Sequence, residues 1–222
     1  MTNRFPFIVI EGLDGSGKTT LRKGLFRLFE HLYGATPLAV LTTNWLDPDV
    51  AADLAEGKYA PTSANRDRYL DALKADKRAT VEQLILPSLG RRPVIADRWL
   101  ISELAFFAVK HDQPPQVTYA GLSEAIGLVP DLTLVLETST DTSMVRAASR
   151  PGDAVRDDWD VTDVQTRVRA VYQAVTAVPD TYGKIGPIVR IDAGRSRAEV
   201  LFDAWTALLD HALTPAPAGS HA

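Results

Sequence analysis

Residues 12–19 read Gly-Leu-Asp-Gly-Ser-Gly-Lys-Thr and satisfy G-x-x-x-x-G-K-[ST] at every fixed position. The octet follows the apolar run 7–10 and precedes Leu21, Leu25, Leu28, Phe29 and Leu32, which recur at helical spacing. Strand, glycine loop and helix in that order constrain the fold more than any other feature of the chain. Glycines let the backbone turn with its N–H groups pointing inward, a nest for phosphate oxygens. The helix behind the loop adds unpaired amides and the positive end of its dipole. Lys18 is placed to reach β- and γ-phosphates, and the Thr19 hydroxyl is placed to ligate Mg²⁺. Nucleotide binding follows from these residue types at this spacing.

Four further apolar runs, at 38–41, 93–96, 132–136 and 188–191, carry Val, Ile or Leu without polar alternation. That is how strands buried on both faces read. Helical patterns separate them: Val164, Val168, Val171 and Val175, then Leu201, Trp205, Leu208 and Ala212. Segment 47–57 reads as a short acidic helix, and 62–89 as a long helix closed near Pro87. Alternation of strand and helix predicts an α/β fold, a doubly wound five-stranded parallel sheet in one domain over residues 1–213. Segment 150–160 is polar and reads as a mobile loop, and 214–222 as a disordered tail.

Composition narrows the function. Lys plus Arg is 24 against 28 Asp plus Glu, a net charge of −4, which weighs against a dedicated binder of nucleic-acid polymers. The absence of cysteine excludes disulfides, thiolate metal sites and a Cys nucleophile. The histidines, at 31, 111, 211 and 221, have no zinc-ligand spacing. No apolar run approaches the roughly 20 residues of a membrane span, and the first six residues predict no signal peptide. A cytoplasmic protein with no membrane partner is the expectation.

The phosphate loop alone leaves kinase, GTPase, motor ATPase and sulfotransferase open. The guanine-reading Asn-Lys-x-Asp is absent, and the third apolar run ends in Asp97-Arg98-Trp99, not Asp-Glu. An acid at a strand's C-terminal end can meet a Mg²⁺ hydration shell, and the neighbouring Arg can reach a phosphate. Trp99 reads as packing, whereas Trp45 is open between packing and stacking on a base. Arg167 and Arg169 read as solvated ion pairs, and Asp131 as a strand support without chemistry.

At this point the residues resemble the thymidylate kinases. The run from Phe7 to Thr20 looks like that family's opening. Asp97-Arg98-Trp99 with Ser102, Ala105 and Phe106 is similar to its Asp-Arg-Tyr…Ser…Ala-Tyr stretch. Residues 130–136, the arginines from Arg146 into the 150–160 loop, residues 167–172 and Ile191-Asp192-Ala193 match further family segments in the same order. The resemblance implies a P-loop, nucleoside monophosphate kinase-like protein. It would use ATP and Mg²⁺ to phosphorylate a nucleoside 5′-monophosphate, dTMP first, as a homodimer. Carried over, ATP would meet Gly12, Asp14, Gly15, Ser16, Gly17, Lys18, Thr19, Thr20 and Arg146, the last against adenine. Thr19 and Asp97 would hold the metal. Lys18, Arg98 and the lid arginines Arg150 and Arg156 would be catalytic, and the lid would span 150–160. The acceptor would meet Asp14, Trp45, Leu73, Lys77, Arg78, Arg98, Glu103 and Phe106.

Four departures from the family pattern fall on the acceptor side. Thr42-Thr43-Asn44-Trp45 lacks the Arg usual after the second strand. The family's stacking Phe falls on Leu73, and its phosphate-binding Arg on Lys77, or on Arg78 with a one-residue shift. Glu103 stands where a neutral polar side chain is usual. Two rivals follow: a kinase for an unusual nucleotide, nucleoside or metabolite, and a nucleotide-binding module without turnover.

Overall fold

The computed structural model describes residues 4–58, 63–149, 159 and 161–214. The expected tail beyond Thr214, and all of the expected lid except Trp159, lie outside the described residues, Arg150 and Arg156 among them. Five parallel strands form one sheet: β1 (Phe7–Gly12), β2 (Leu38–Leu41), β3 (Val94–Asp97), β4 (Leu132–Glu137) and β5 (Ile188–Asp192), in the order β2-β3-β1-β4-β5. The central strand pairs Ile8 with Ile95 on one side and with Leu132 on the other. The doubly wound α/β reading is correct.

Residues on alternate sides of β1 build two cores. Ile8 and Ile10 join Leu21, Leu25 and Phe29 of α1 (Lys18–Tyr33) and Ala204 and Leu208 of α9 (Arg197–Asp210). Phe7 and Val9 join the opposite layer. That layer is built on α3 (Arg66–Ala79), α5 (Leu100–Lys110) and α8 (Thr162–Ala177). A strand covered on both faces needs apolar residues at every position, which explains its unbroken run. Smaller helices complete the described chain: α2 (Pro48–Ala55), α4 (Leu86–Leu89), α6 (Pro115–Ser123) and α7 (Thr140–Ala148). Among the described residues no helix is long and apolar enough to cross a membrane.

The expected long helix has a different interior. After α3 the chain widens into a π-helical stretch, Thr80–Ile85, and then runs through Pro87 to Leu89. Leu86 N–H bonds back to the Val81 carbonyl, five residues earlier. The wider turn accommodates a proline that has no N–H to give and whose ring would clash in a regular helix. Pro87 therefore shifts the hydrogen-bond register without ending the helix.

Strands β1 and β4 are neighbours whose following connections lead to opposite edges of the sheet. The crevice at their carboxyl ends is the switch point where open α/β sheets bind ligands. The glycine loop between β1 and α1 occupies it.

Candidate active site

The loop is shaped by three left-handed glycines. Gly12 has φ 144°, and a Cβ there would meet the Leu136 carbonyl of β4 at 2.7 Å. Gly15 has φ 80° and faces the Ser143 carbonyl of α7 more closely still. Gly17, at φ 99°, opens α1 without a side-chain cap and faces open space. Ser16 is buried at 2% exposure, and its hydroxyl has no hydrogen-bond partner. An orphaned buried hydroxyl beside an uncapped helix start fits an arriving phosphate oxygen.

Lys18 is 6% exposed. Its ammonium donates to the carbonyls of Gly12 (3.0 Å) and Leu13 (2.7 Å), which curls the loop around it. Burial, then the Arg98 charge, push the Lys18 pKa down to about 7, against the opposing pull of Asp14, Asp97 and Glu11. Thr19 donates to Asp97 Oδ2 at 3.3 Å, so the two expected metal residues meet. Arg22, one turn further along α1, approaches the same oxygen at 3.4 Å. Thr20 is exposed. Arg146 on α7 donates to the Ala193 carbonyl behind β5 at 2.8 Å, on the adenine side that the resemblance implies.

Arg98 leaves β3 in the left-handed region at φ 74°, its N–H held by the Ile10 carbonyl at 2.9 Å. Its guanidinium forms an ion pair with Asp14 and donates to the Gly12 carbonyl and Ser102 Oγ, each at 3.1 Å. Burial lowers its pKa, but Tyr172, Asp14 and Glu11 outweigh that and hold it above the ordinary arginine value.

Aromatic rings line the acceptor side. Trp45 lies 6.1 Å from Tyr69, Tyr69 lies 5.5 Å from Phe106, and Phe106 lies 5.8 Å from Trp159 between centroids. Trp45 takes φ 46° because Asp76 accepts its N–H at 2.6 Å and that of Asn44 at 3.2 Å. Burial, then Glu103 and Asp76, raise the Tyr69 phenol above its usual range, so it stays neutral.

Three acceptor candidates are buried among other partners. Leu73 is fully buried in the core between α3 and the sheet and presents nothing to the cleft. Lys77, also fully buried, is consumed by its neighbours: it donates to the Thr42 carbonyl, pairs with Glu103 at 2.8 Å and lies 4.6 Å from the Trp99 ring centroid. Glu103 itself is 4% exposed and accepts from Thr42 Oγ1 at 3.2 Å. Arg78 is exposed, beside a buried Lys77 on the adjoining position of the helix. Trp99 packs at 1% exposure, as expected, and Asp131 accepts the Phe7 N–H and pairs with Arg4. Among the described residues Arg167 reaches the exposed Asp112, at 4.0 Å.

The family model described as "Thymidylate kinase" matches residues 10–200. The chain belongs to the thymidylate kinase family. It is 33% identical to the thymidylate kinase of Xanthomonas campestris pv. campestris (strain B100), over 76% of this chain and 70% of that one. It is 31% identical to that of Leifsonia xyli subsp. xyli (strain CTCB07), over 87% and 90%. Identity to that of Neisseria meningitidis serogroup C (strain FAM18) is 28%, over 89% and 96%. As a member of this family the protein is a phosphotransferase of the nucleoside monophosphate kinase type. Five side chains that sequence reasoning gave no role stand in or against the site: Glu11, Arg22, Tyr69, Trp159 and Tyr172. Arg22 carried a signal, since it lies one turn beyond the loop lysine on the same helix.

Proposed function

We propose that the protein transfers the γ-phosphoryl group of ATP to a nucleoside 5′-monophosphate, with dTMP the first candidate, using Mg²⁺. One observation carries this reading: Lys18, the Thr19–Asp97 contact and the Arg98–Asp14 pair converge at the carboxyl ends of β1 and β3. Phosphoryl transfer needs reactants in line and charge spread over equatorial oxygens to be neutralised, with little covalent help. The buried Ser16 hydroxyl, the open space at Gly17 and the oxygen pair of Thr19 and Asp97 fit a triphosphate and its metal. The metal, held through Thr19 and Asp97, would supply charge neutralisation across the β- and γ-oxygens. Lys18 binds the phosphates from the cradle side. Arg98 faces the acceptor phosphate, and Asp14 orients Arg98. An acceptor phosphate oxygen is already a nucleophile, so no general base is required. Arg150 and Arg156 would close the phosphates from water. A homodimer and a cytoplasmic setting are part of the same proposal and rest on the resemblance alone.

The buried state of Leu73 and Lys77 favours a second acceptor class. Helix α3 offers neither a stacking ring nor a free cation from those positions, so recognition falls to Trp45, Tyr69, Phe106 and Arg98. Selectivity for dTMP is therefore expected to be weaker or broader than the family norm, and an unusual nucleotide, nucleoside or metabolite is the alternative. Measuring kcat/KM for dTMP, dUMP, dCMP, dGMP and the unphosphorylated nucleosides, with ATP consumption read in parallel, tests both. Turnover that rises with a monophosphate supports the proposal. ATP consumption with none of them removes the nucleotide acceptor, and binding of ATP without consumption would leave a non-catalytic module.

A further inference from the structure

Both members of the Arg98–Asp14 pair are gripped from one stretch of chain, residues 159–172. At the Asp14 end, the Trp159 indole N–H donates to Oδ2 at 3.1 Å. Trp159 is in turn fixed to the first turns of α8, where Gln165, 1% exposed, donates from Nε2 to its carbonyl at 3.1 Å. At the Arg98 end stands Tyr172, on α8 and 6% exposed. Its hydroxyl donates to Glu11 Oε2 at 2.7 Å, lies 2.7 Å from Ser102 Oγ and is 3.5 Å from Arg98 Nη1.

Proton bookkeeping gives this cluster a direction. Glu11 is fully buried at the end of β1, and its Oε1 accepts the backbone N–H groups of Trp99 (2.8 Å) and Ser102 (3.2 Å). Its Oε2 faces both hydroxyls, Ser102 Oγ at 2.6 Å and Tyr172 Oη at 2.7 Å. Two hydroxyl protons serve the three contacts among Glu11 Oε2, Ser102 Oγ and Tyr172 Oη, so one hydroxyl donates to Glu11 and the other donates either to Glu11 or to its hydroxyl neighbour. Lone pairs of both oxygens remain to face the guanidinium, which has only protons to give. Burial, then the Glu11 charge, hold the Tyr172 phenol far above its ordinary value, so it remains a donor. The acid, two hydroxyls and Arg98 form one hydrogen-bonded cluster, and α8 links Tyr172 through Gln165 and Trp159 back to Asp14.

We propose that Tyr172 and Trp159 are positioning residues that hold the Arg98–Asp14 pair between them, with Glu11 fixing the Tyr172 and Ser102 hydroxyls. This deepens the reading of Arg98 as the acceptor-phosphate residue and rests on it. The left-handed backbone at Arg98 supplies the need: a non-glycine residue at positive φ persists only where its surroundings over-determine it.

Tyr172→Phe and Trp159→Phe remove one polar atom each and keep a ring in place. The first readout is independent of any acceptor. In protein labelled with ¹⁵N-tryptophan, the Trp159 indole resonance is identified by its loss in Trp159→Phe. It is expected to move in Tyr172→Phe, because the two sites share the Arg98–Asp14 pair, although the substituted atom belongs to another residue. An unmoved resonance overturns the link. The second readout is kinetic, on whichever monophosphate the wild type turns over. Tyr172→Phe is expected to lower kcat tenfold or more, with affinity for a non-hydrolysable ATP analogue within twofold and an unchanged melting temperature within a few degrees. The double variant is expected to lose less than the product of the two single losses. Multiplicative losses, or a fall in melting temperature with kcat intact, overturn the positioning role. If the wild type turns over no monophosphate, the acceptor reading fails while the resonance test still decides the link.

Discussion

Nucleotide binding at pH 8 is expected to draw a proton from solvent onto Lys18. Lys18 is 6% exposed, and among the described residues its ammonium donates to two backbone carbonyls, which are dipoles and not counter-charges. Burial and then Arg98 lower its pKa from 10.5 to about 7. At pH 8 the neutral form of Lys18 is therefore expected to predominate in the ligand-free protein. A triphosphate seated in the cradle brings negative charge within hydrogen-bond reach and favours the charged form. Restoring the ordinary value would recover on the order of 5 kcal/mol of coupling. The sign follows: above about pH 7 binding takes up a proton, so affinity falls as pH rises, by up to about tenfold per unit. Below about pH 6 Lys18 is charged in both states and the uptake vanishes. Calorimetry with a non-hydrolysable ATP analogue in buffers of different ionisation enthalpy measures it. The slope of heat against buffer enthalpy should approach one proton at pH 8 and fall toward zero from this group at pH 6. Lys18→Met, which keeps length without charge, should abolish the pH 8 uptake. A slope below about a third of a proton at pH 8, or the same slope in Lys18→Met, refutes the reasoning.

Arg98→Ala is expected to lower kcat/KM by several kcal/mol, as loss of a charge-neutralising group at a transferring phosphoryl commonly does. ATP-analogue affinity without acceptor should change far less, and collapse of that affinity with kcat intact would move Arg98 to the donor side. Lys77→Ala should destabilise the fold by about 3–5 kcal/mol, because it leaves the Glu103 carboxylate buried without its partner. Lys77→Met combined with Glu103→Leu should cost much less, and denaturant unfolding of both variants distinguishes a structural pair from two acceptor ligands.

The sheet was legible because a strand covered on both faces has no polar positions to blur it. The phosphate loop was legible because its chemistry is local: eight consecutive residues make the whole cradle. The surroundings of Leu73, Lys77 and Glu103 were not, and the reasons are specific. Leu73 and Lys77 are one helical turn apart, and sequence register put that face of α3 toward an acceptor. Which face of a helix is covered depends on what packs there, and Glu103 arrives from α5, 26 residues further along the chain, to neutralise Lys77. Tyr172 sits in the apolar stripe of Val168 and Val175 and reads as core, which it also is. Glu11 ends a strand whose other residues are apolar, and only the fold brings Tyr172 to it across 161 positions. Trp159 stands in a polar run, and its partner Asp14 is 145 residues away. Residues inside a recognisable motif could be read even where their partners are distant, as with Thr19 and Asp97, whereas Glu11, Tyr172 and Trp159 meet their partners only through topology.

The same distinction explains how charge is arranged before any nucleotide binds. Arg98 has Asp14, Arg22 has Asp97, and Lys77 has Glu103, each cation matched by a carboxylate brought from elsewhere in the chain. Among the described residues no carboxylate makes an ion pair with Lys18, which is left with the carbonyls of its own loop. A buried ammonium without a counter-ion is costly, and lowering its pKa is how the protein limits that cost. Phosphates arriving in the cradle would supply the missing counter-charge. The matched cations are already oriented and need only exchange or share their partners, whereas the loop lysine has its charge state completed by the ligand. A site built this way binds its anion most tightly in the pH range where that lysine can still be protonated, which ties the affinity of the cradle to a titration of its own residue.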